Sequence, residues 1–84
     1  MRLVIYSKID CHLCDEMKTI VRRVTGGRAD VTVEEIDIAG DRALMDLYGL
    51  EIPVLTLDGR KIAKYRISES ALTKILEREG ETRN

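Results

Sequence analysis

Two cysteines three positions apart carry the strongest chemical signal in this sequence. They are the only cysteines among 84 residues, and they form the segment Cys11-His12-Leu13-Cys14. Residues i and i+3 lie on one face of a helix, close enough for a disulfide with little backbone movement. At a helix N-terminus, free backbone N–H groups and the helix dipole also favour the thiolate, which is the nucleophilic form of cysteine. The pattern predicts dithiol–disulfide exchange.

The two cysteines are expected to play different roles. Cys11 stands at the start of the helix, is expected to be the more exposed of the two, and is therefore predicted to be the attacking thiolate. Cys14 lies one turn further on and is expected to resolve the mixed disulfide. A protonated His12 would add positive charge beside Cys11 and tune the thiolate, whereas the acidic residues around the pair act in the opposite direction.

Four other interpretations of the pair stay open at this point. The cysteines could be two ordinary buried thiols on one helix. They could also be accessible thiols in a domain that binds partners without catalysis. They could hold zinc, but zinc usually takes four ligands, and the chain offers two cysteines and the adjacent His12, so that a closed site would need a dimer. An iron–sulfur cluster shared between subunits would require outside ligands in the same way. Dithiol exchange itself requires no metal and no organic cofactor.

The amino-acid composition limits the classes of protein to which this chain can belong. The chain is long enough for one domain, and with no Phe or Trp its core must consist of Leu, Ile and Val. Fourteen basic residues against 15 acidic ones leave no concentrated positive charge for nucleic acid. The first apolar run, residues 3–6, is too short for a signal peptide or a membrane span, so we expect a cytoplasmic protein. In that compartment a cysteine pair is more often catalytic, redox-sensing or metal-binding than structural.

The hydrophobic pattern predicts a single α/β domain over residues 1–80, followed by a frayed tail over residues 81–84. The predicted order is β-α-β-α-β-β-α, with strands at 3–6, 31–38, 52–57 and 61–66. The first helix is expected to begin after Asp10 as its N-cap and to end at Gly26-Gly27. The second spans 41–48, with Leu44, Leu47 and Tyr48 on one side, and ends at Gly49. The third begins after Ser68, buries Ala71, Leu72, Ile75 and Leu76, and stops at Gly80.

Two segments resemble the glutaredoxins. Residues 5–8, Ile-Tyr-Ser-Lys, lead into the cysteine pair in the same way as the first strand and active-site loop of that family. Ile52-Pro53-Val54, followed by Asp58-Gly59, is similar to its cis-proline strand and hairpin. The resemblance covers nearly the whole chain and extends to the small glutaredoxin-like proteins of bacteria and archaea.

The resemblance implies a thioredoxin fold, with a four-stranded mixed sheet of order 2-1-3-4 flanked by three helices. It implies a cis peptide before Pro53 and a place beside the cysteines where the backbone of Ile52 pairs with bound peptide or glutathione. Lys8 matches the lysine that glutaredoxins use near the glutathione carboxylate. The expected protein is a cytoplasmic monomer that reduces disulfides in proteins or small molecules and binds neither nucleic acid nor membranes.

The sequence departs from the glutaredoxin pattern at two places. The usual Pro-Tyr between the cysteines is His12-Leu13 here, and the Gly-Gly pair that follows the hairpin is replaced within residues 62–66, Ile-Ala-Lys-Tyr-Arg. Glutathione and a thioredoxin-reductase-type flavoenzyme are therefore both expected as candidate electron donors. Tyr48 and Tyr65 are interpreted as residues at the edge of the core.

Overall fold

Seven elements follow one another along residues 1–82, the part of the chain that this computed structural model describes. The strands are β1 (Arg2–Ser7), β2 (Thr32–Asp37), β3 (Val54–Leu57) and β4 (Arg60–Lys64), and the helices are α1 (His12–Thr25), α2 (Arg42–Tyr48) and α3 (Glu69–Thr82). The sheet order is β2-β1-β3-β4, with β1 parallel to β2 and antiparallel to β3. The predicted element order, sheet order and thioredoxin fold are confirmed. Residues 83 and 84 of the predicted tail lie outside the described residues.

The main core lies between one face of the sheet and the helices α1 and α3. Side chains alternate between the two faces of a strand, so every second residue of β1 and β3 points to this core. The helices contribute residues at helical spacing, which place one apolar stripe against the sheet. The buried cluster contains Leu3, Ile5, Met17, Val21, Val31, Leu55, Leu57, Leu72 and Leu76.

The opposite face of the sheet is covered more lightly, by α2. The Tyr48 ring packs against the Tyr6 ring with the centroids 4.5 Å apart, which places α2 over β1. No residue within Arg42–Tyr48 is fully buried, and Leu47 is 64% exposed, so the side predicted to carry Leu44, Leu47 and Tyr48 is not buried as one surface. A helix of two turns presents only a narrow stripe to the sheet, and Leu44 and Tyr48, four residues apart, already occupy it.

The helix ends are set partly as predicted. Gly26 and Gly49 are the C-caps of α1 and α2, and Ser68 Oγ accepts the Ala71 N–H at 3.0 Å as the cap of α3. Gly80 does not stop α3, which continues to Thr82, because glycine weakens a helix without breaking it. Ala71 is exposed rather than inward-facing. It precedes the buried Leu72 by one position, which is about 100° around the helix.

The strand register brings two predicted site segments to one end of the sheet. Tyr6, next to last in β1, pairs with Val54, the first residue of β3. Because these strands are antiparallel, the end of β1 that leads to Cys11 lies beside the start of β3, which Pro53 immediately precedes. None of the three helices in the described part of the chain is long and apolar enough to span a membrane.

Candidate active site

Cys11 is the N-cap of α1. Its backbone is extended, with φ −112° and ψ 107°, and its Sγ accepts the Cys14 N–H at 3.1 Å. The prediction that Asp10 caps the helix is wrong, because Asp10 adopts a left-handed conformation with φ 59°, whereas an N-cap residue has extended dihedrals. The sulfur therefore occupies the place where a capping oxygen usually binds the free N–H groups of the first turn.

A disulfide joins Cys11 to Cys14, with the two Cα atoms 5.2 Å apart. Cys14 is fully buried, whereas Cys11 is only half-buried. The structure thus shows the predicted difference in exposure between the two cysteines. An incoming nucleophile or disulfide has access to the Cys11 side of the bond, and the Cys14 side belongs to the core.

The peptide bond between Ile52 and Pro53 is cis, as the glutaredoxin resemblance implies. Pro53 is buried, and its carbonyl accepts the Tyr65 N–H at 2.8 Å. The Ile52 backbone makes no hydrogen bond to any other residue within 1–82. Its N–H and C=O groups are therefore free to bind another chain. They lie at the same end of the sheet as the Cys11–Cys14 disulfide.

Tyr65 belongs to the site rather than to the edge of the core. Its φ is 67°, a conformation uncommon for residues other than glycine, and the positive φ ends β4 at Lys64 instead of at residue 66. The phenol OH donates to the Leu50 carbonyl at 3.1 Å, and the side chain is 43% exposed. Tyr65 lies in the segment that replaces the Gly-Gly pair of glutaredoxins. Because glycine favours positive φ, this replacement was the one feature of the sequence that indicated an unusual backbone here.

The other two predicted residues, His12 and Lys8, differ in their exposure. His12 Nε2 lies 3.2 Å from Glu16 Oε1, and the His12 side chain is 87% exposed, so it points away along α1. Lys8 is half-buried and lines a depression of about 400 Å³ whose other walls include Asp10, Asp15 and Asp37. Among the residues described, no group of three His, Cys, Asp or Glu side chains could hold a metal ion.

A groove of about 340 Å³ runs along α1 from Leu13 to Arg23, and we name it the α1 groove. One wall is α1, and the other is the connection between β4 and α3. Apolar side chains from both walls meet in it, and charged ones stand at its rim. The lining includes Leu13, Glu16, Ile20, Arg23, Tyr65 and Arg66. Lys8 does not line this groove.

Glu51 fixes the loop that carries Ile52 and Pro53. Its carboxylate accepts hydrogen bonds from Lys61 Nζ at 2.6 Å and Lys64 Nζ at 3.3 Å. These two ammonium groups, Lys61 foremost, hold the pKa of the Glu51 carboxyl below its ordinary value. The carboxylate thereby connects the segment that precedes β3 with strand β4, whose last residue, Lys64, is next to Tyr65.

A Glu51→Gln variant is expected to be less stable than the wild type at neutral pH, with a difference that disappears in acid. A lowered pKa in the folded state means that ionised Glu51 adds stability above the unfolded-state pKa and loses it as the pH falls through the folded-state pKa. The effect is modest because the pair is solvent-exposed. Thermal unfolding from pH 7 to pH 2 measures it. A difference in Tm that persists unchanged in acid would contradict the ion-pair explanation.

Comparison with known proteins finds a matching family and similar solved structures. Residues 2–77 match the model of a family described as "Glutaredoxin-like domain (DUF836)". The X-ray structure of a structural genomics target protein, XcR50 from X. campestris, is similar, with 30% identity, a TM-score of 0.76, and coverage of 90% of this chain and 96% of that one. Among curated proteins there is no significant match.

Thioredoxins show the same fold. Thioredoxin 1 from Thermosipho africanus aligns over 100% of this chain and 99% of its own, with 20% identity and a TM-score of 0.72. A mutant thioredoxin from Halobacterium salinarum has 25% identity and a TM-score of 0.61, and the alignment covers 92% of this chain and 72% of that one. A Cys-x-x-Cys disulfide at the start of α1, a cis-proline beside it and the family match agree, and the chain belongs to the glutaredoxin-like domain family (DUF836) of the thioredoxin superfamily.

Proposed function

We propose that this protein is a thiol–disulfide oxidoreductase whose redox-active groups are Cys11 and Cys14. The observation that carries the proposal is the position of the Cys11 sulfur, which accepts the Cys14 N–H at the N-terminus of α1 and is bonded to a buried partner. In the reduced protein the same N–H and the positive end of the helix would stabilise a Cys11 thiolate. A protonated His12 would add to this, although its exposure makes the contribution small.

The proposed reaction is a pair of thiolate displacements. The Cys11 thiolate attacks one sulfur of a substrate disulfide, forms a mixed disulfide, and expels the other substrate sulfur as a thiolate that solvent protonates. Cys14 then loses its proton and attacks the Cys11 sulfur, which releases the second substrate thiol. The protein ends with the Cys11–Cys14 disulfide and has passed two electrons and two protons to the substrate. An external thiol or reductase returns them and regenerates the dithiol.

The neighbouring residues supply the proposed substrate contacts. The free N–H and C=O groups of Ile52, beside cis-Pro53, would pair with an extended substrate segment next to its disulfide. Lys8 would contact a carboxylate of the substrate. We propose that the electron donor is a thioredoxin-reductase-type flavoenzyme or glutathione, and that the protein acts on disulfide-containing proteins as a cytoplasmic monomer.

Reduction of a neutral small disulfide, hydroxyethyl disulfide, tests the proposal. The wild-type protein, supplied with dithiothreitol as electron donor, is expected to accelerate the reaction in proportion to protein concentration. The double variant Cys11→Ser/Cys14→Ser is the control for non-specific effects. Equal rates with the wild type and the double variant would refute the proposed activity. Replacing dithiothreitol by glutathione, or by a thioredoxin reductase with NADPH, then identifies the donor that sustains turnover.

A further inference from the structure

A second depression lies between α1 and the carboxyl ends of β1 and β2, and we name it the β1–β2 depression. Its volume is about 400 Å³. Ser7 ends β1 and Asp37 ends β2, and these two residues are partners in the parallel ladder. The segment 8–10, which follows β1, and Asp15 and Lys18 of α1 form most of the remaining wall. Ligand sites of open α/β sheets commonly lie at the carboxyl ends of strands, so this position favours ligand binding.

The Ser7 hydroxyl is a buried polar group without a partner. Ser7 is 3% exposed, and its Oγ makes no hydrogen bond with any residue within 1–82. Because side chains alternate along a strand, Ser7 points to the same face of the sheet as Leu3 and Ile5, the face that α1 covers. The hydroxyl therefore faces the β1–β2 depression. A buried hydroxyl without a partner costs free energy, and a ligand that bonds to it would offset that cost.

The charges in the β1–β2 depression are unevenly balanced. Four carboxylates and two ammonium groups line it. The Lys18 ammonium lies 3.8 Å from the Glu35 carboxylate, so these two charges offset each other. The carboxylates of Asp10 and Asp15 make no hydrogen bond or ion pair in the described part of the chain. Of the charges that remain, three are carboxylates and one is the Lys8 ammonium group. This balance favours a positively charged ligand.

An organic ammonium group suits these partners better than a metal ion does. The carboxylates do not converge as a metal ion requires, since among the described residues no group of three His, Cys, Asp or Glu side chains could hold one. An ammonium group has three N–H donors, and the Ser7 hydroxyl can accept one of them. Asp10 directly precedes Cys11, so their Cα atoms are about 3.8 Å apart. The ammonium group can thus belong to the same small molecule as the sulfur that reacts with Cys11.

We infer that the β1–β2 depression binds an ammonium group of the substrate, with Asp10, Asp15 and the Ser7 hydroxyl as its partners. The inference rests on the proposed oxidoreductase function and adds a substrate class: disulfides that carry a primary amine a few bonds from the sulfur. The two thiolate displacements are unchanged, and each disulfide yields two amine-bearing thiols. Asp15 and Ser7 are then specificity-determining residues that take no part in the sulfur chemistry.

Two small disulfides of opposite charge test this inference. Cystamine carries an ammonium group on each side of its disulfide, and dithiodipropionate carries a carboxylate on each side. The reduced protein is mixed with each disulfide, and acid quenching followed by thiol counting gives a second-order rate constant. Division by the rate constant of dithiothreitol with the same disulfide removes the difference in intrinsic reactivity. This normalised rate is expected to be about five-fold higher for cystamine, because contacts between exposed charges are weak.

Charge removal and hydroxyl removal identify the residues. Asp15→Asn is expected to lower the ratio of the cystamine rate to the dithiodipropionate rate about three-fold. Glu16→Gln is the matched control, because it removes the same charge one position further along α1, from a residue that lines the α1 groove instead. It is expected to keep the wild-type ratio. Ser7→Ala changes no charge, and it is expected to lower the ratio about three-fold through loss of one hydrogen bond.

The outcomes separate the two proposals. If the wild type does not reduce hydroxyethyl disulfide, the proposed function is wrong and the inference falls with it. If it reduces hydroxyethyl disulfide but gives equal normalised rates for cystamine and dithiodipropionate, only the inference is wrong. Equal changes of the ratio in Asp15→Asn and Glu16→Gln would show a general effect of charge near Cys11 and would overturn the assignment to the depression. A wild-type ratio in Ser7→Ala would overturn it as well.

Discussion

A Cys11→Ser variant is expected to lose all catalysed disulfide reduction and to keep its fold. Serine is a favoured N-cap residue, so its hydroxyl can accept the Cys14 N–H that the sulfur accepts in the wild type. A hydroxyl at neutral pH does not attack a disulfide, because the thiolate is the nucleophile in this reaction. The rate of hydroxyethyl disulfide reduction should therefore fall to the uncatalysed background. Far-UV circular dichroism checks that α1 remains intact.

A Cys14→Ser variant is the matched control, because it removes the other half of the same disulfide. Cys14 is fully buried and Cys11 is half-buried, so the first displacement should survive in this variant and the second should not. Incubation with a disulfide substrate is expected to give one mixed disulfide per protein molecule, located at Cys11 by peptide mass analysis. A mixed disulfide that forms in Cys11→Ser but not in Cys14→Ser would reverse the assigned roles.

Leu55→Ala is expected to lower the free energy of unfolding by about 2–5 kcal/mol. Leu55 is fully buried in β3, a central strand of the sheet, and belongs to the cluster that α1 and α3 cover. The substitution removes apolar contact and leaves a cavity that a close-packed core fills only in part. The loss is large against a total stability of about 5–15 kcal/mol for a small domain. Urea unfolding of the oxidised protein measures it.

Leu47→Ala provides the matched control for this prediction. It is the same substitution on α2, where Leu47 is 64% exposed, and it is expected to change the free energy of unfolding by no more than about 0.5 kcal/mol. Similar losses for the two variants would contradict the assignment of the core to the α1–α3 face of the sheet. A loss confined to Leu47→Ala would show that α2 covers the true core.

The features that the sequence predicts well are those with a local or periodic cause. The Cys-x-x-Cys pair, the strand that leads to it and the Pro53 segment each carry a pattern, and the structure brings all three to one end of the sheet. The core of β1 and β3 follows from runs of apolar residues that are buried on both faces. The resemblance to glutaredoxins supplied the strand order, which residue patterns alone do not determine.

The features that the sequence did not predict depend on backbone geometry or on contacts distant in the chain. Asp10 has a side chain suited to capping, but its positive φ moves the cap to Cys11. A tyrosine is an ordinary residue for the end of a strand, so nothing marked Tyr65 in the sequence. Its role comes from hydrogen bonds to Pro53 and Leu50, which lie 12 and 15 residues away in the sequence. Leu47 shares the spacing of an inward-facing residue, but α2 is too short to bury it.

The most direct test of the central claim is the redox midpoint of the Cys11/Cys14 pair. The protein is equilibrated with thiol–disulfide buffers of defined potential, and free thiols are trapped and counted by mass. We predict a single two-electron transition between dithiol and internal disulfide, at roughly −200 to −270 mV, the range of glutaredoxins and thioredoxin. If no internal disulfide forms at any potential, Cys11 and Cys14 are not a redox pair and the proposed function is wrong.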